Sequence, residues 1–80
     1  MKEYIELSKK CLKEKLLRIK QVQVRTGLSK SYIYQLCSQN KFPRSIQLVA
    51  GGSSVAWVES EINDFIESRI KARDEELNNA

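Results

Sequence analysis

Four consecutive residues, Thr26-Gly27-Leu28-Ser29, constrain the fold of this chain more than any other feature. They separate two short segments of helical periodicity. Gly27 suits the end of the first, because a residue without a Cβ enters the left-handed conformation that closes many helices at little steric cost. Two positions later, the Ser29 hydroxyl can accept a hydrogen bond from an unpaired amide in the first turn of a second helix. With Ser29 as N-cap, Leu28 falls at N′ and Ile33 at N4, the spacing of a hydrophobic staple. A stop and a start this close predict a helix-turn-helix pair.

The first helix of the pair is expected over residues 20–26, with Val22 inward, after an apolar lead-in of Leu16, Leu17 and Ile19. The second is expected over residues 30–39. At 100° per residue it buries Ile33, Leu36 and Cys37 and turns Ser31, Gln35 and Ser38 outward, flanked by Tyr32, Tyr34 and Gln39. The outward face is polar and uncharged. Phe42-Pro43 ends the helical region, and residues 46–49 and 55–57 read as strands around the five-residue loop Ala50-Gly51-Gly52-Ser53-Ser54. Trp57 is assigned to the core. From Glu59 onward, Val58, Ile62, Phe65, Ile66 and Ile70 keep helical spacing, with acidic residues early and basic ones later, as the helix dipole favours.

At the amino end, Tyr4, Leu7, Cys11 and Leu12 recur at helical spacing and predict an amphipathic helix over residues 3–14. The expected organisation is therefore a helical extension (residues 1–15), one domain (16–73) and a frayed tail (74–80). The class is mainly α with a small β-hairpin. Ile62, Ile66, Ile70 and Leu77 form an apolar stripe that either packs on its own domain or pairs with a second copy as a homodimer. It falls short of sustained heptads.

Charge placement narrows the function. The net charge is +4, yet no acidic residue lies between Glu14 and Glu59, while Lys15, Arg18, Lys20, Arg25, Lys30, Lys41 and Arg44 all do. Ordinary protein surfaces intersperse both signs, so this one-sided run points to a polyanion such as double-stranded DNA. The chain has no histidine, no Gly-rich phosphate loop and no acidic cluster in the acid-free half, which leaves general acid-base, metal and phosphoryl chemistry without their usual parts. No enzyme activity and no cofactor are expected. Cys11 and Cys37 lack metal-ligand spacing and read as reduced thiols, Cys37 as a small residue on a buried helix face. No apolar run approaches the roughly 20 residues that span a bilayer, and the charged amino end is unlike a signal peptide, so a cytoplasmic location is expected and no membrane partner.

The residue chemistry can be assigned on this frame. Ser29, Lys30 and Ser31 sit where free amides and the positive helix end favour phosphate. Gln35 offers the donor and acceptor that suit bidentate pairing with adenine in the major groove, and Ser31 can pair with any base. Ser38 extends the same face. Tyr34 either meets the nucleic acid or packs at the domain edge, and Arg25 and Arg44 either contact phosphate or remain solvated.

Leu17-Arg18-Ile19-Lys20, Val22, Thr26-Gly27-Leu28-Ser29, Ile33-Tyr34, Phe42-Pro43, Val55-Ala56-Trp57 and Glu61-Ile62 together resemble the AlpA family of prophage regulatory proteins, over about residues 16–73. The resemblance implies a winged helix-turn-helix related to the DNA-binding domains of MerR-type regulators and to phage excisionases. It also implies a role in activating an integrase gene, through RNA polymerase, or in excising an element by bending DNA beside integrase. The loop Gly51-Gly52-Ser53-Ser54 departs from relatives whose wings carry a basic residue, and Gln35 stands where many carry a charge.

Overall fold

A computed structural model of the chain describes residues 14–79. The helix expected over residues 3–14, and Cys11 with it, lies outside that range except for Glu14. The elements in order are β1 (Leu16–Leu17), α1 (Ile19–Thr26), α2 (Lys30–Ser38), β2 (Ile46–Gln47), β3 (Val55–Val58) and α3 (Glu59–Asn79). Three helices with a small antiparallel sheet match the expected class and a winged helix-turn-helix.

The turn between α1 and α2 follows the sequence chemistry closely. Gly27 adopts φ 75°, and its amide donates to the Gln23 carbonyl at 2.7 Å. Thr26 braces the turn from the side: its hydroxyl donates to the Val22 carbonyl at 2.8 Å and accepts from the Leu28 amide at 3.3 Å. Ser29 caps α2, its Oγ accepting from the Tyr32 amide at 3.2 Å. Leu28 packs against the core that contains the fully buried Ile33, as a staple requires. A Cβ added at Gly27 would meet nothing within 4 Å. The cost of a side chain there is therefore the left-handed backbone alone, about 1–2 kcal/mol. Gly27→Val should lower stability by at least about that much, because a β-branched residue tolerates the region worst, and Gly27→Asn by less. Equal urea midpoints for Gly27→Val and the parent would show that the turn does not need glycine.

The far end of α2 is closed by a device the sequence reading missed. Asn40 takes φ 57°, its amide donates to the Cys37 carbonyl at 3.1 Å, and the Lys41 amide reaches back to the Leu36 carbonyl at 2.9 Å. This is a Schellman closure with asparagine in the left-handed position. It ends α2 at Ser38, with Gln39 as C-cap, before Phe42 and Pro43 are reached.

Leu16 and Leu17, expected only as an apolar lead-in, form a third strand. The sheet order is β1-β3-β2, with Leu16 opposite Val58, Leu17 opposite Trp57, Ile46 opposite Ala56 and Gln47 opposite Val55. The wing is correspondingly different from expectation. β2 stops at Gln47, so the connection to β3 runs from Leu48 to Ser54. Its base is held by the Leu48 amide bonding the Ser54 carbonyl at 2.9 Å, and its tip by the Gly52 amide bonding the Val49 carbonyl at 2.9 Å. Gly51, at φ 75°, supplies the positive φ that such a turn demands.

Leu17, Val22, Ile33, Phe42, Ala56, Trp57 and Ile62 are buried, and no polar or charged residue is buried among the described residues. Trp57 sits at the centre as expected, and its indole Nε1 donates to the Pro43 carbonyl at 3.0 Å. Phe42, placed by the sequence reading at a helix end, turns into the core and packs on Phe65 at 4.7 Å between ring centroids. β3 passes directly into α3, and the Glu59 amide bonds the Lys15 carbonyl at 2.7 Å. α3 remains helical through Asn79.

Candidate nucleic-acid interface

The face of α2 opposite the core presents Ser31, Tyr34, Gln35 and Ser38, with Lys30 at its start. The division follows from periodicity: the same helix turns Ile33 fully inward and half-buries Leu36 and Cys37 against the core. Burial pushes the Cys37 thiol above its ordinary value, and a hydrogen bond with Trp57 partly opposes that shift. Its Sγ lies 3.7 Å from the Pro43 carbonyl. Cys37 is thus a packing residue at the base of the exposed face.

The hydroxyls on this side are not equally available. Ser29 Oγ accepts from its capping amide, so its hydrogen remains for another partner. Ser38 Oγ donates to the Gln35 carbonyl at 2.7 Å, leaving that oxygen to act as an acceptor. Ser31 and the Gln35 amide extend from successive turns of α2. The Lys30 and Ser31 amides belong to the first turn, where a helix exposes donors and partial positive charge.

Arg44 follows Pro43 directly, and the Pro43 carbonyl is held by both the Trp57 indole and the Cys37 thiol. The exposed Arg44 side chain therefore leaves the domain from a fixed point between α2 and β2. Arg25 lies elsewhere. Its guanidinium pairs with Glu59 at 3.1 Å and donates to the Asn63 side-chain oxygen of α3. It thereby ties α1 to the start of α3 while remaining 39% exposed. Tyr34 is 41% exposed, with its ring centroid 6.1 Å from that of Trp57. It packs at the domain edge and still reaches the surface. Lys41, the last residue of the Schellman turn, is a further exposed cation beside α2 that sequence reasoning counted in the acid-free run but did not single out.

The wing differs in character from the helix. Ile46, Leu48 and Val49 are exposed, Val49 by 64%, and the connection from Leu48 to Ser54 carries no charge. The Gln47 side-chain Nε2 donates to the Gly52 carbonyl at 3.2 Å and stiffens the tip. Among the described residues no cluster of His, Cys, Asp or Glu could hold a metal ion, and no helix is long and apolar enough to cross a membrane.

No solved structure matches the chain significantly. An uncharacterized protein of Enterobacteria phage P4, ORF88, is 40% identical over 60 residues, which cover 75% of this chain and 66% of the phage protein. Residues 15–70 match the family described as "Prophage CP4-57 regulatory protein (AlpA)". Because that match runs from β1 through the helix pair and the wing and well into α3, this chain belongs to the AlpA family of prophage regulatory proteins.

Proposed function

We propose that the protein is a sequence-specific DNA-binding regulator of a prophage or integrated island, acting in the cytoplasm, with α2 as the helix that enters the major groove. The observation that carries this reading is the face of α2: polar, uncharged and free of carboxylates, on a helix whose other side is locked into the core. Gln35 and Ser31 read base edges, and Ser38 offers an acceptor at the far end. Lys30 and Arg44 hold phosphates at either end of the helix, aided by the amides after Ser29. Tyr34 lies against the sugar-phosphate backbone. Arg25 contributes less, because Glu59 already shares its charge.

Such a protein activates transcription of integrase or excision genes with RNA polymerase as partner. A second reading, an architectural factor that bends DNA beside integrase, is favoured by the uncharged wing. Exposed apolar side chains such as Leu48 and Val49 are of the kind that wedge between base steps in a minor groove and kink the duplex. A DNA-bending assay on the bound site separates the two.

The test of DNA binding itself is the salt dependence of duplex affinity. About four to six neutralised phosphates should give a slope of log K against log salt of roughly −4 to −5. A flat response would assign the basic surface to a protein partner instead.

A further inference from the structure

α3 outlasts the domain it packs on. Ile62 is buried and Phe65 and Ile66 are half-buried against the core, but Ile70 is 44% and Leu77 69% exposed. Helical spacing places Ile66, Ile70, Arg73 and Leu77 on one face. Alongside it, Tyr32 and Leu36 of α2 and Phe65 and Ile66 of α3 line an open groove. The charged residues lining it are Arg25, Lys41, Arg69 and Arg73, of which Arg25 pairs with Glu59 and Arg73 with Asp74 outside the lining. The last turns of α3 are the reverse: Asp74, Glu75 and Glu76 surround Leu77.

We propose that this groove is covered by a second copy of the chain, the two α3 helices pairing antiparallel so that each inserts Leu77 between α2 and α3 of the other. The tail cannot fill its own groove. Leu77 and Ile66 stand eleven residues apart on one helix, roughly 16 Å at 1.5 Å per residue. A parallel pair would set Arg69 against Arg69 and Glu76 against Glu76. An antiparallel pair centred near residues 70–73 sets Leu77 opposite Ile66, and Arg69, level with Asp74 of the second copy, lies on the same flank as its Glu76, so opposite charges meet along that flank at both ends, with Glu67 on the other flank. Residues 1–13 are a poorer occupant, since their four lysines outnumber their two glutamates and meet a cationic rim.

The contact is a few helical turns and a groove, small beside the about 1,200–2,000 Å² of stable complexes, so dimerisation should depend on concentration. Sedimentation equilibrium of the full chain without DNA, from micromolar to millimolar, reads it directly and independently of any DNA-binding role. A monomer–dimer equilibrium is expected. Leu77→Asp, Glu76→Arg and Arg69→Glu should each raise the dissociation constant about tenfold or more, because each change occurs twice in a symmetric interface. Arg69→Glu combined with Glu76→Arg should return it toward the parent value. All three positions are exposed, so unchanged circular dichroism is expected and confirms folding. A parent that stays monomeric across the series overturns the proposal. So does a dimer indifferent to these variants, or a double variant weaker than both singles.

Discussion

Trp57→Ala should remove a large share of the domain's stability. Replacing a buried tryptophan by alanine costs about 3–5 kcal/mol through lost burial and the cavity left behind. A domain of 80 residues has about 4–12 kcal/mol in total at about 0.05–0.15 kcal/mol per residue. A hydrogen bond goes with the ring as well, since without the indole the Pro43 carbonyl loses its 3.0 Å donor. Because Arg44 leaves the chain immediately after Pro43, any residual folded protein should hold the α2–β2 junction less firmly. Trp57→Phe keeps most of the apolar volume and loses the N–H donor, so it should fall between the alanine variant and the parent. Val24, 85% exposed on α1, supplies the control, since Val24→Ala should stay within about 0.5 kcal/mol. Urea unfolding followed by far-UV circular dichroism ranks the three. A Trp57→Ala midpoint close to that of Val24→Ala would remove Trp57 from the centre of the core.

Gln35→Ala and Arg44→Ala should lose DNA binding in different ways. Gln35 projects from the polar face of α2, where a side-chain amide can satisfy both edge atoms of one base. Its loss should cost about 1–3 kcal/mol on the preferred site, roughly five- to 150-fold, and far less on unrelated duplex. Arg44 should act on phosphate, which every sequence supplies. Arg44→Ala should weaken both duplexes alike and make the salt slope shallower by about one. Neither residue is buried, so both variants should fold. Measuring each on preferred and scrambled duplexes over a salt series distinguishes the profiles. Equal losses on both duplexes for Gln35→Ala would take that residue out of the groove and require α2 to be rotated or replaced as the reading helix.

The amino-acid sequence by itself determined whatever depends on a few adjacent dihedrals or on the period of a single helix. Gly27 at positive φ, Ser29 as a cap, the Leu28–Ile33 staple, the polar side of α2 and the burial of Trp57 were all legible, because one residue's stereochemistry or one helical repeat settles each. The cap at Asn40 was equally local. It was overlooked because asparagine enters the left-handed region less habitually than glycine, and Phe42-Pro43 offered a more obvious stop. Only the tertiary structure decided the rest. A strand of two residues has no period to detect, and Leu16–Leu17 become one only because Trp57 and Val58, some forty residues later, supply their hydrogen-bonding partners. Phe42 is core because Phe65 waits for it on α3, and Arg25 faces α3 because Glu59 and Asn63 do. The wing's longer connection depends on where pairing with β3 ceases. In each case the determining partner lies far along the chain, and no local propensity encodes which distant surface a side chain will meet.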